Sequence, residues 1–281
     1  MNISFAQLVK EHFENLSPGQ KKVAEYLLQQ LEEAAFRTAV QIGRKVQVSE
    51  TTVTRLSYAL GFSGFSQMQS FIQRQIVNGR ETVVEEKMDY ADDSLAPFVE
   101  LIQNDISILK QTVNQLDLVN LLKVADALLD ADQILVIGSR SSYGPAHWFS
   151  FMLSTFREHV SLSEPKGLIY EKICDLTDKS VVFVISFPRY TKETIEIAEN
   201  AKQLGAKIIS VTDLYLSPVG RISDITLITE ENIGTGTDSI VPVIGLLDLI
   251  LLAVSRRNPS QIQKRKQRLE RLYTSGEVFL E

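Results

Sequence analysis

Two runs in this chain place hydroxyls and an arginine directly after an apolar, β-prone stretch. Gly138-Ser139-Arg140-Ser141-Ser142 follows "QILVI", and Ser186-Phe187-Pro188-Arg189-Tyr190-Thr191 follows "VVFVI". Where a strand hands over to a helix, free backbone N–H groups and the positive end of the helix dipole favour an anion. Serine and threonine hydroxyls can donate to phosphate or carboxylate oxygens, and a guanidinium adds five donors and a fixed charge. The implied chemistry is capture of a small anion. Moving a proton between adjacent carbons, as an aldose–ketose isomerase does, would need a base as well. Glu230, Glu231, Asp238 and His147 are available for that but sit in no recognisable motif, so catalysis stands as the alternative. A third constellation lies near the amino terminus: "VSETTVTRL" carries hydroxyls at Ser49, Thr51, Thr52 and Thr54, with Lys45 and Arg55 as nearby cations. Small polar groups and a cation at the exposed start of a helix can reach base edges and phosphates in a DNA groove.

These residues need elements to hold them, and the chain reads as two blocks. From residue 16 to about 78 the pattern is helical. Ser17, Pro18 and Gln20 form a capping signature, and Ala24, Leu27, Leu28 and Leu31 recur at helical spacing. Thr38 and Gln41 start a shorter helix that ends near Gln47, and Ser49 starts the next. Val53, Leu56 and Leu60 then face inward, with Thr51, Thr52, Thr54, Arg55 and Tyr58 outward. Two short helices around a tight turn have the layout of a helix-turn-helix, although a plain four-helix bundle has the same periodicity. An acidic stretch over residues 79–96 reads as a linker, followed by two helices that divide around Gln115–Asp117.

After residue 132 five short apolar runs alternate with helical segments: "QILVIG", "HVSLS", "SVVFVIS", "KIISVT" and "DITLIT". Near-continuous apolar strands spaced by helices predict a five-stranded parallel sheet covered on both faces. In such sheets ligands bind beyond the carboxyl ends of the strands, which is where the two hydroxyl–arginine runs fall. The helix "SIVPVIGLLDLILLAVSRR" is apolar almost all round and is expected to be buried in a subunit interface.

The totals set bounds. A 281-residue chain with 44% apolar and 23% charged residues has material for two modest domains. The net charge of −6 divides unevenly: residues 1–75 hold eight Lys/Arg against six acids, leaving −8 for the remainder. The amino-terminal block is therefore not repelled from nucleic acid. His12, His147 and His159 are scattered without ligand spacing, so neither a metal site nor a cofactor is expected. Cys174, alone, is expected to be a small core residue. The absence of an 18-residue apolar run and of a signal-peptide pattern, with the single cysteine, points to a cytoplasmic protein without membrane partners.

The amino-terminal block, through V-S-x-x-T-V-x-R (Val48 to Arg55) and G-F-x-G-F (Gly61 to Phe65), resembles the DNA-binding domain of RpiR-type transcriptional regulators. The carboxy-terminal block resembles the sugar isomerase (SIS) domain, a flavodoxin-like sandwich that such regulators carry. The carrying stretches are "GSRSS", "SFPRYTKETIEIAENAKQLGAKIISVTD" and "SPVGRISDITLIT". The resemblance implies domains at residues 1–78 and 97–281, with residues 79–96 between them. It also implies a regulator that reads operator DNA through Lys45, Ser49, Thr51, Thr52, Thr54 and Arg55. Its carry-over puts the phosphate of a phosphosugar on Ser142, Ser186 and Thr191; the residues beside them, Arg140, Ser141 and Arg189, complete the expected site for a phosphosugar or sugar acid. A homodimer or homotetramer on a palindromic operator follows from two-fold symmetry. Four departures stand out. Gln47, Arg140 and Arg189 occupy positions where the family pattern has glycine, and Pro188 replaces a serine. A backbone cradle has been traded for side-chain clamps. Tyr143 and Tyr190 are expected to pack rather than stack on a sugar, and His147 and Trp148 to take core or interface roles.

Overall fold

The computed structural model describes residues 4–80, 95–163, 169–229 and 239–280. The chain divides into two compact units, Met1–Asp89 and Tyr90–Glu281. Most of the acidic 79–96 stretch, along with Glu230, Glu231 and Asp238, lies outside the described residues.

The first unit is all helical: α1 Phe5–His12, α2 Pro18–Gln29, α3 Leu31–Ala34, α4 Ala39–Val46, α5 Glu50–Ala59 and α6 Phe65–Arg80. Capping sets the boundaries. At α2, Ser17 accepts from the Gln20 N–H while the Gln20 side chain accepts from the Ser17 N–H, and Thr38 with Gln41 repeats this at α4. α1 was not foreseen, although Ser4 and Gln7 form the same box. Its Phe5 and Val9 are fully buried, which gives this helix a place in the core of the unit. The inward face of α2 is Val23, Ala24, Tyr26 and Leu27, with Leu28 and Leu31 only half-buried.

The second unit begins with α7 Ala96–Asn114 and α8 Leu118–Asp130, then alternates strand and helix. The strands are β1 Ile134–Gly138, β2 Val160–Leu162, β3 Val181–Ile185, β4 Lys207–Thr212 and β5 Ile225–Ile228. All pair in parallel in the order β2-β1-β3-β4-β5. The helices are α9 Tyr143–Ser154, α10 Ile169–Cys174, α11 Lys192–Gln203, α12 Pro218–Ile222, α13 Val241–Arg257 and α14 Pro259–Ser275. Alternate strand residues serve two cores. Val136, Phe183, Ile185 and Ile209 pack with α8, α9 and α13, whereas Leu135, Val182, Val184 and Ile208 pack with α10, α11 and α12. Phe183 stacks on Phe149 of α9 with ring centroids 4.4 Å apart.

Two expectations change here. α13 is covered within its own chain by α7, α8 and α9, so its apolar character belongs to the core of this unit. Cys174, the last residue of α10, is exposed, because the one-and-a-half-turn helix directs Ile173 inward instead. Among the exposed apolar residues, Phe98, Ile102 and Ile106 form a row on α7 at i, i+4 and i+8. Among the described residues no helix is long and apolar enough to cross a membrane.

Phe183→Ala is expected to cost about 3–5 kcal/mol, since it removes a fully buried ring from between β3 and α9. A fall in the urea midpoint, without a change in slope, would show it.

Candidate functional site

β1 and β3 lie side by side with Gly138 opposite Ile185, yet the chain leaves them in opposite directions. After β1 it turns onto the face covered by α9, and after β3 onto the face covered by α11. Strand order reverses at this pair, and a crevice opens beyond the carboxyl ends. The crevice is a cleft of about 170 Å³. It is lined by Ser139 to Ser142 from the first loop, Ile185 to Thr191 from the second, and Thr194 of α11. The structure thus brings together all six residues singled out in these loops: Arg140, Ser141, Ser142, Ser186, Arg189 and Thr191.

Burial divides the lining into two levels. Ser142, Ser186 and Thr194 are 4%, 5% and 1% exposed and form the floor, while Arg140, Ser141, Pro188 and Arg189 are exposed at the rim. A hydroxyl chain crosses between the loops: Thr191 Oγ1 lies 2.7 Å from Thr194 Oγ1, which lies 2.9 Å from Ser139 Oγ. Thr191 also caps α11 by accepting from the Thr194 N–H. α9 and α11 both begin at this cleft, each directly after one of the two loops. Ser139 and Thr194 were not singled out from the sequence. Thr191-x-x-Thr194 is a cap-to-N3 spacing, and that spacing alone turns Thr194 back toward the loop.

The left-handed residues explain how this backbone path survives the loss of glycine. Arg140 has φ +57° and Arg189 φ +67°, so both keep a glycine-like conformation with a Cβ attached. Neither guanidinium makes a hydrogen bond or ion pair among the described residues. Tyr190 is half-buried and donates its hydroxyl to Asp213 Oδ1 at 2.6 Å, which secures the second loop to the end of β4. Tyr143 is half-buried beside the exposed His147, their rings 6.3 Å apart, and both lie outside the cleft lining. His147 is therefore not part of this unit's core; Trp148 packs against it. The described lining contains no carboxylate or imidazole. Gly138 has no room for a side chain: an added Cβ would stand 2.4 Å from the Ser142 carbonyl and 2.7 Å from Ala146 Cβ.

In the first unit, Ser49, Thr51 and Arg55 are exposed and Thr52 and Thr54 half-buried on α5, with Lys45 exposed on α4. Ser49 caps α5 by accepting from the Thr52 N–H, and its Oγ lies 2.9 Å from Thr52 Oγ1. Thr54 donates to the Glu50 carbonyl. Thr51, Lys45 and Arg55 make no such bond among the described residues. The turn from α4 to α5 is tight: a Cβ on Gly43 would meet the Val48 carbonyl at 2.8 Å. Gln47 closes α4 with φ +59° and ψ +47°, so this third glycine replacement is also left-handed.

Comparison with known proteins gives the class first. The family model for the helix-turn-helix domain of the rpiR family matches residues 3–79, and that for the SIS domain matches residues 127–253. An uncharacterized HTH-type transcriptional regulator of Clostridium perfringens is 29% identical over 254 residues, 88% of this chain and 90% of its own length. The sugar isomerase domain of an RpiR transcription factor from Sphaerobacter thermophilus superposes with a TM-score of 0.58 at 24% identity, covering 62% of this chain and 97% of that one. Vibrio vulnificus NanR, solved with ManNAc-6P, superposes with a TM-score of 0.60 at 19% identity over 99% of this chain and 100% of its own. The chain joins an rpiR-family helix-turn-helix domain to a SIS domain. It belongs to the RpiR-type transcriptional regulators.

Two substitutions test these geometries. Gln47→Gly is expected to stabilise the protein by roughly 0.5–1 kcal/mol, because relief of the left-handed Cβ exceeds the added chain entropy. A higher urea midpoint would show it. Gly138→Ala is expected to destabilise by about 1–3 kcal/mol, since the Ser142 carbonyl and α9 must move, and a thermal melt would register the loss.

Proposed function

We propose that this regulator senses a small anionic metabolite, a phosphosugar or sugar acid, in the cleft between β1 and β3. Its occupancy would set how firmly paired amino-terminal units hold an operator. The observation that carries this reading is the convergence of six hydroxyl and guanidinium residues from two loops on one cleft at the strand-order reversal. Support comes from NanR, which shares the fold and was solved with ManNAc-6P.

DNA would be held through α5, with Thr51 and Arg55 offered to base edges and phosphates and Lys45 to the backbone. Ser49, Thr52 and Thr54 would contribute mainly by fixing the start of that helix, since their hydroxyls are engaged there. Two copies per operator would follow from two-fold symmetry. The row Phe98, Ile102 and Ile106 on α7 is the surface a second copy would cover. A cytoplasmic location follows from the role. The isomerase reading is weaker, because the relatives are named as transcriptional regulators and the described lining lacks a base.

Binding to DNA from upstream of its own gene should be tight and should weaken steeply with salt. Arg55→Ala is expected to reduce that affinity by about tenfold or more, with an unchanged melting temperature. Effector should shift the affinity by roughly 5–150-fold, readable as fluorescence anisotropy of labelled operator. Equal affinity for random DNA would contradict the reading.

A further inference from the structure

The cleft holds more positive charge than one anionic group requires. Its floor is neutral: the buried hydroxyls of Ser142, Ser186 and Thr194, beside the first turns of α9 and α11. Such donors suit a single phosphate head without help from a charged side chain. Above them stand two guanidiniums, Arg140 on the first loop and Arg189 on the second, both exposed and both without a protein partner among the described residues. Salt-bridged surface arginines would look different, since each would face a carboxylate.

Both arginines also occupy costly backbone. At φ +57° and +67° each Cβ crowds its own chain by about 1–2 kcal/mol relative to glycine. Glycine would follow the same loop path without that strain, so the arginine side chains are what distinguishes this cleft from one lined by glycine. Pro188, which lacks an N–H, lies on the same exposed level, so the rim is short of one backbone donor and carries two guanidiniums. A guanidinium presents a planar fork that matches carboxylate and phosphate oxygens two at a time.

The geometry points to an effector with two separated anionic groups: a phosphate on the hydroxyl floor, and a second carboxylate or phosphate gripped at the rim by Arg140 and Arg189. The ligand class is a phosphorylated sugar acid or a sugar bisphosphate, and the two arginines are its specificity determinants. This rests on the reading of the cleft as an anion sensor.

Titration calorimetry on the full-length protein tests it with matched probes. One pair is glucose 6-phosphate and 6-phosphogluconate; the other is fructose 6-phosphate and fructose 1,6-bisphosphate. In the wild type the doubly anionic member of at least one pair is expected to bind about tenfold or more tighter, the gain of one charge-assisted pair. In the double variant R140G/R189G, which keeps the backbone path, that preference should fall to about twofold or less. Affinity for the member with a single anionic group is expected to fall by less than affinity for the member with two. A higher melting temperature would show the variant folded, as relief at both left-handed positions requires. Equal binding within both pairs, or a preference that survives in the variant, overturns the assignment while leaving the anion sensor standing. No binding of any probe, with no response to inorganic phosphate, overturns both.

Discussion

The reversal of strand order between β1 and β3 is the constraint from which the rest follows. Because β2 lies on one side of β1 and β3 on the other, the connections out of β1 and β3 must leave onto opposite faces of the sheet. No helix can then roof the gap between those two strand ends, and polar loop residues line it without disturbing either core. The two hydrophobic layers hold the strands in register, and the cleft inherits its dimensions from that register. Rigidity is supplied from below by Phe183 against Phe149 and from the sides by Gly138 under the first loop and Tyr190–Asp213 on the second. At the opposite, amino-terminal edge of the sheet, Thr177 and Ser180 donate to Asp132. These bonds, that from Thr177 foremost, hold its carboxyl below the usual range. The sheet is thus pinned at one end and open to solutes at the other.

Backbone conformation and side-chain identity have come apart at three positions in this chain. Gln47, Arg140 and Arg189 all adopt the left-handed conformation in which glycine is unstrained. The surrounding structure fixes that conformation: Gln47 by the tight α4–α5 turn, the arginines by strand ends that must hand over to a helix within a few residues. Once the backbone is fixed from outside, a side chain can be added at a cost of about 1–2 kcal/mol each. Such a cost lies within the net stability of a folded domain, about 5–15 kcal/mol, so the conformation alone does not mark a functional residue. At Gln47 the structure offers no use for the added group. At the cleft the added groups are two charges facing solvent over a bed of hydroxyls.

Much of this was legible in the sequence, for definite reasons. Fully buried parallel strands are continuous apolar runs, so all five strands were visible; caps such as Ser17, Thr38 and Ser49 marked helix starts to the residue. The cleft loops were legible because hydroxyls and arginines directly after buried strands have few structural uses. What was not legible depends on information outside any window of sequence. An apolar helix such as α13 reads the same whether a second chain or α7, α8 and α9 cover it. Cys174 sits in a six-residue helix, too short to fix a burial phase. Ser139 and Thr194 joined the site through a hydroxyl chain that exists only once β1 and β3 are neighbours. α1 lies ahead of the helical block read from residue 16 onward, although Ser4 and Gln7 carry a capping box.

Control of DNA binding on this reading rests on a solute held in the cleft between the β1 and β3 loops. Hydrogen-exchange mass spectrometry of the full-length protein, with and without a saturating phosphorylated ligand, addresses it most directly. Amides of residues 139–143 and 186–194 are expected to slow together on ligand addition, because both loops close on one molecule. Ligand binding that leaves both segments unprotected, with the protection concentrated elsewhere in the chain, would contradict the account.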